Sequence, residues 1–282
     1  MTLKAKAALA FFAVATFVAP AATAQDKTKI TIATEGAFPP YNLTRPDGTL
    51  DGYEIELGNH LCAQMKIECT FVAQSFEGII PALQAGKFDV IMSGMSATAK
   101  RKEIIDFSIP YGGTGQTFVT LKGSDITKMP LKGEVFNLAN NPDGTKKAVE
   151  AIRPILEGKT IGVQTSSIGS RFLDEYMKDV ATIREYKTTE QHDLDLTSGR
   201  VDAVIASLGY MITAVKQPGN EEMEIVGPRF LGGFLGAGTS VGLRKDETAL
   251  REKFDTAIEA AKADGTIKRL SEKWFGFDLT PR

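Results

Sequence analysis

The chain has 282 residues, 43% of them hydrophobic and 24% charged, which is an ordinary globular balance and enough for two modest domains behind a leader. Its 33 basic and 35 acidic residues give a net charge of −2, and removing Lys4 and Lys6 with the leader takes this to −4. Such a balance excludes the basic face by which nucleic acid or an anionic membrane surface is held, so neither partner is expected.

Lys4 and Lys6 precede an apolar run from Ala7 to Val18, and Ala22-Thr23-Ala24 stands before Gln25. This is the layout of a secretory signal peptide over residues 1–24, with an apolar part too short to span a membrane comfortably. The alternation of Lys29 to Thr34 predicts a strand, and it runs into Glu35-Gly36-Ala37-Phe38-Pro39-Pro40-Tyr41. There the glycine and prolines force a loop that displays Glu35, Phe38 and Tyr41 at the strand's end. From Tyr53 the apolar residues Ile55, Leu57, Leu61, Cys62 and Met65 predict an amphipathic helix, and Thr70 to Val72 a strand. Cys62 and Cys69 are the only two cysteines of an exported chain, which favours one local disulfide that stabilises modestly because its loop is small. No metal or cofactor is expected: His60 stands near Cys62, but only His192 is left as a further histidine.

Ser75 is placed to cap a helix carrying Phe76, Ile79, Ile80 and Leu83 at i, i+3, i+4 and i+7. Gly86 ends it, and Val90 to Met92 reads as a buried parallel strand. Directly afterwards Ser93, Gly94, Ser96 and Thr98 fall at the strand's carboxyl end, where open α/β sheets put their ligands. Lys100, Arg101 and Lys102 then crowd the first turn of a short helix, and cations there oppose the helix dipole. A bound carboxylate resolves the conflict, because a guanidinium fork can bind both its oxygens while hydroxyls and backbone N–H groups complete the shell. The plainer alternative is that Thr98 only caps the helix, with Glu103 and Asp106 neutralising the cations.

The pattern recurs. Leu83-Gln84-Ala85-Gly86-Lys87-Phe88-Asp89 before one strand is echoed by Leu196-Thr197-Ser198-Gly199-Arg200-Val201-Asp202 before another, and Lys159 to Val163 echoes the first strand. Ser166 to Met177 carries Ile168, Phe172 and Tyr176 at helical spacing. Two copies of strand, helix, strand predict two similar α/β lobes with a ligand between them. Between the copies, Gly112 to Gly115 reads as a hinge, 122–158 as an irregular surface insertion, and Gly232 to Gly238 as the return crossing. The C-terminal segment places Leu250, Phe254, Ala257, Ile258 and Ala261 on one helix face, and Trp274 as a packing residue.

Over nearly all of its mature length the chain resembles the periplasmic solute-binding proteins of ABC importers for polar amino acids. The marks are Ala33-Thr34-Glu35-Gly36 with Pro40-Tyr41, Gly52-Tyr53-Glu54-Ile55-Glu56-Leu57, Cys62 with Cys69, Ile80-Pro81-Ala82-Leu83, Ser96 to Arg101, and Asp264-Gly265-Thr266 with Lys273-Trp274-Phe275-Gly276. In detail it is similar to the lysine, arginine, ornithine and histidine branch, and closer still to octopine- and nopaline-binding proteins. The resemblance implies a two-lobed α/β fold with two crossing hinge strands: lobe 1 from 25–113 and 238–282, lobe 2 from 117–230, crossings at 113–117 and 230–238. It further implies a periplasmic monomer that closes around its ligand and delivers it to a membrane permease, without catalysis. Carried onto this chain, Arg101 clamps an α-carboxylate with Ser96 and the backbone near Ser93 and Gly94, Phe38 and Phe76 sandwich the ligand, and Glu35 pairs with its distal cation. At Ser207 the basic amino-acid binders usually carry an aspartate for a free α-ammonium. A hydroxyl there suits a secondary amine such as an arginine-derived opine, whose extra carboxylate the loop Gln164-Thr165-Ser166-Ser167-Ile168 at a helix start is placed to receive. The competing expectation is a periplasmic enzyme on the same fold, such as a dehydratase using Glu35 as acid or base.

Overall fold

The computed structural model describes residues 27–281, so the expected signal peptide lies outside the described residues. Two β-sheets carry the fold, each covered on both faces by helices. The first runs in the order Glu68–Ala73, Lys29–Thr34, Val90–Ile91, Thr239–Leu243, Asp106–Gly112; its first three strands are parallel and the last two run against their neighbours. The second runs Thr182–Tyr186, Thr160–Gln164, Ala203–Ser207, Gln116–Leu121, Met223–Leu231, with Val135–Asn137 added at its far edge. The chain therefore passes from one sheet to the other after Gly112 and returns after Leu231, and Thr239 pairs with Gly112 where the two crossings meet.

The internal echo has a structural cause. Asp89 and Asp202 each precede the third parallel strand of their sheet, and each joins it to the first strand by the same two bonds. Asp89 accepts from the Thr31 N–H (2.9 Å) and donates its own N–H to the Thr31 carbonyl (2.9 Å), while Asp202 does so with Thr160 at 2.7 and 2.8 Å. The repeated glycine-basic-apolar-aspartate wording encodes a helix stop followed by this clamp, which fixes the register of the parallel strands.

Each sheet buries two apolar layers. In the first lobe Leu57, Leu61, Phe254, Ile258, Ile267 and Leu270 from three helices pack with Ile30, Ile32 and Val241 on one face, while Ile79, Leu83 and Phe88 pack with Ile91 and Ile105 on the other. The second lobe repeats this with Ile152, Leu156, Phe172 and Leu173 on one side and Leu196, Val204 and Met211 on the other. Trp274 packs against the first core and takes no part in the cleft.

Two local expectations are corrected. Residues 122–158 are not an irregular insertion: they contain a 3-10 turn at Asp125–Lys128, the strand Val135–Asn137 and a helix, Pro142–Leu156, that buries Ala148, Val149, Ile152 and Leu156. Asn140-Asn141-Pro142-Asp143-Gly144 reads as a turn in isolation, but Asn141 is a cap that accepts from the Gly144 N–H at 3.0 Å, and proline at a first helical position has no needed N–H to lose. Ser75 precedes a 3-10 turn, Phe76–Gly78, that leads into the helix Ile79–Gln84, and its side chain makes no capping hydrogen bond.

Cys62, near the end of the helix Tyr53–Met65, is bonded to Cys69 in the next strand, seven residues on. Closing so short a loop removes about 2.5 kcal/mol of unfolded-state freedom. The double variant Cys62→Ser/Cys69→Ser should therefore unfold in urea with a stability lower by about 2 kcal/mol and bind ligand as before; an unchanged midpoint would show that the bridge contributes nothing.

Candidate functional site

The carboxyl ends of the parallel strands of the two sheets face each other across a cavity of about 390 Å³. Glu35 follows Lys29–Thr34 and Ser93 and Gly94 follow Val90–Ile91, while Gln164 and Ser207 end Thr160–Gln164 and Ala203–Ser207. Phe38, Phe76, Ser96, Arg101, Ser167 and Ile168 also line the cavity. Of the twelve ligand-site residues expected from sequence, Ser166 alone does not; it meets the cavity wall through its carbonyl, which accepts from Arg101 Nη2 at 2.9 Å.

Arg101 is held by groups from both lobes. Nη1 donates to the Ser96 carbonyl (3.0 Å), and the guanidinium carbon lies 5.5 Å from the centre of the Phe76 ring. A guanidinium carries five N–H groups, so three remain for an anion once the two carbonyl bonds are made. Burial lowers its pKa to about 10, and it stays charged at neutral pH. Thr98 caps the short helix Ala99–Lys102 and accepts from the Arg101 N–H at 3.2 Å, so the capping role and the inward-facing guanidinium coexist.

Glu35 stands on the other side of the charge balance. Its backbone N–H donates to Ser93 Oγ (2.9 Å), and its Oε1 accepts from Gln164 Nε2 across the cleft (2.6 Å). With only 8% of its surface exposed, the carboxyl has lost most of its hydration, and its pKa rises to about 8. The Gln164 amide opposes that rise, and the charges of Glu190 and Glu54 add to it.

Phe38 lies nearly parallel to Tyr41 of its own lobe (5.0 Å between centres) and to Tyr210 of the other (5.1 Å), and Phe76 carries Arg101. Gly94 is required here: its φ is +58°, and a Cβ would come 2.8 Å from the Phe38 ring. Its N–H does not face the cavity as expected but donates to buried Glu54 at 2.7 Å. Ser207 joins a neutral trio, with its Oγ 2.7 Å from Thr114 Oγ1 and 3.2 Å from Tyr41 Oη, while Thr114 accepts from the Gly209 N–H at 3.0 Å. Burial raises the Tyr41 pKa, which keeps that hydroxyl uncharged.

Thr114, Gln116, Thr189 and Arg229 also line the cavity and were not marked by sequence. The glycines around Thr114 read only as a hinge, and Arg229 sits inside a strand where no motif flags it. Tyr41 was recognised as displayed but not as a wall of the site.

Two similar lobes, two crossings and a cavity between them that sets charged groups on aromatic walls define a protein that captures a small charged solute. The chain belongs to the bacterial extracellular solute-binding proteins, family 3, whose profile matches residues 30–277. It is 46% identical to the octopine-binding periplasmic protein of Rhizobium meliloti, over 94% of this chain and 95% of that protein. It is 32% identical to the L-arginine-binding protein of Pseudomonas aeruginosa, over 89% of each. Among solved structures, an ancestral arginine-binding protein bound to arginine superimposes with a TM-score of 0.74 at 32% identity, covering 89% of this chain and 99% of that one. These relatives are named for binding, and the chain is a binding protein rather than an enzyme.

The Glu35 environment has a pH signature. Its folded-state pKa of about 8 lies above the ordinary 4.5, so the stability its protonated form contributes is complete below about pH 4.5 and is lost as pH rises to 8. Ligand-free wild type should lose thermal stability relative to Glu35→Gln between about pH 5 and pH 8; a constant gap between the two proteins over that range would show an unshifted carboxyl.

Proposed function

We propose that this protein is the periplasmic receptor of an ABC importer for an arginine-derived opine of the octopine or nopaline type, with free arginine and its cationic relatives bound more weakly. The observation that carries this reading is that one cavity between the lobes is lined by a half-buried guanidinium, Arg101, and a buried carboxyl, Glu35. A ligand with a carboxylate at one end and a guanidinium at the other neutralises both, and each charge repays its desolvation only when so paired.

In this reading Arg101 takes the α-carboxylate with its three unused N–H groups, helped by Ser96. Glu35 ionises on meeting the ligand's guanidinium, while Phe76 and Phe38 supply the apolar walls on which such a group lies. At Ser207, Thr114 and Tyr41 the wall offers hydroxyls and no charge. A primary α-ammonium has three N–H groups and no carboxylate to meet there, whereas a secondary ammonium, of the same charge, has one N–H fewer, more bulk and a second carboxylate of its own on the attached carbon, which hydroxyls tolerate and an aspartate would repel. The similarity to the octopine-binding relative supports the same choice.

The glycine-rich crossings are read as hinges, with lobe 1 over 25–113 and 238–282 and lobe 2 over 117–230. Closure brings Gln164 to Glu35 and the Ser166 carbonyl to Arg101. The closed monomer is then recognised by the permease, and export of the chain follows from the leader at 1–24.

Titration calorimetry of the mature, ligand-stripped protein against octopine, nopaline, arginine, ornithine, lysine and histidine tests the assignment. An opine should bind at least about tenfold more tightly than arginine, and Arg101→Ala should weaken every ligand by more than about tenfold. Tighter binding of a free amino acid would remove the opine reading, and an Arg101→Ala protein of unchanged affinity would remove the carboxylate clamp.

A further inference from the structure

Arg101 is not the sole guanidinium on the cavity wall. Arg229 lies on the strand Met223–Leu231, and it lines the cavity beside Gly115 of the first crossing. The strand's pairing with Gln116–Leu121 shifts register between Val226 and Phe230, and this irregularity includes Arg229. Gly115, at φ +78°, leaves the space its stem occupies: a Cβ there would come 3.0 Å from Arg229 Cγ and 2.7 Å from the Phe230 carbonyl oxygen. Backbone shape and a missing side chain together admit a long cation to this wall.

Among the described residues the guanidinium has no anion of its own. Its Nε is buried without a hydrogen-bond partner, and no carboxylate among the described residues acts on its charge. Desolvation lowers its pKa, and no neighbouring carboxylate acts to raise it. Asp278, the other acid on the lining, is exposed and already engaged. A partly desolvated cation facing a cavity calls for an anion within that cavity.

The charges of the cavity then read as two cations, Arg101 and Arg229, against one buried carboxyl, Glu35, with Asp278 on the lining but exposed. Free arginine, with one carboxylate, an ammonium and a guanidinium, leaves Arg229 unpaired. An amino acid whose α-nitrogen bears a carboxyalkyl group has one carboxylate for each arginine and a cationic end for Glu35. We propose that Arg229, in place of the loop Gln164 to Ile168 expected from sequence, binds the second carboxylate of such an N-carboxyalkyl amino acid and is the residue that separates it from a free amino acid. This rests on the reading that the cavity takes an opine with its α-carboxylate on Arg101.

The test compares octopine with Nα-ethylarginine, which lacks only the second carboxylate, and with arginine, by calorimetry on wild type, Arg229→Gln and Arg229→Lys. Arg229→Gln should weaken octopine by at least about tenfold and leave Nα-ethylarginine within about twofold, and Arg229→Lys should restore part of the loss by keeping the charge without the fork. Unchanged octopine affinity in Arg229→Gln would overturn the assignment while leaving the opine reading intact. So would equal weakening of octopine and Nα-ethylarginine, which would mark Arg229 as packing. Wild type that binds no octopine would overturn the opine reading itself, and this assignment with it.

Discussion

A carboxylate with no exposed surface holds the ligand-facing edge of the first lobe. Glu54, in the first turn of the helix Tyr53–Met65, accepts from Asn42 Nδ2 and the Gly94 N–H, each at 2.7 Å, and from the Tyr111 hydroxyl. Asn42 passes the constraint on by accepting from the Gly36 N–H at 2.8 Å. One buried side chain thereby ties the loop after the first strand, the loop after the third, and the strand that leads into the crossing. Burial raises its pKa, and the three donors act the other way by favouring the ionised form. Phe38 also pairs with Asn42 in a short antiparallel ladder and the Glu35 N–H bonds Ser93 Oγ, so the positions of Glu35, Phe38, Ser93 and Gly94 are fixed together with this anchor.

From that edge the logic of the cavity follows by charge. Cations and carboxyls that have lost water are kept apart by the walls and held by carbonyls, amides and aromatic faces rather than by one another. Arg101 is tied to Ser96 and Ser166 carbonyls, and Glu35 to the Gln164 amide. Groups so placed are oriented for a ligand at little further entropic cost, and their incomplete compensation is what a zwitterionic solute supplies. Where a hydroxyl trio stands in place of a carboxylate, the wall withholds a charge partner from the α-nitrogen and leaves room for a substituent on it.

Much of this was legible from the chain because strand ends and their punctuation are local. The run Val90 to Met92 followed by small hydroxyl residues and Arg101 fixed one side of the site, and the repeat around Asp89 and Asp202 announced two similar lobes. The features that escaped are those that only three-dimensional approach creates. Arg229 sits within a register shift of the strand Met223–Leu231, which no sequence pattern marks, and Thr114 joins Ser207 through the crossing. Gly94 was taken for its backbone donor, yet it serves by making room for Phe38 while its N–H turns inward. The helix Pro142–Leu156 was hidden by turn-forming residues at its start, where a cap and a turn look alike in sequence.

The central claim is that the charges lining the cavity choose the ligand, and Ser207 is the position where that choice can be reversed by one side chain. Calorimetry of Ser207→Asp against octopine and arginine is the direct measurement. The account predicts that the added carboxylate strengthens arginine by pairing with its α-ammonium and weakens octopine by repelling its second carboxylate and crowding its N-substituent, so the order of affinities narrows or inverts. Equal changes for both ligands, or no change for either, would contradict it.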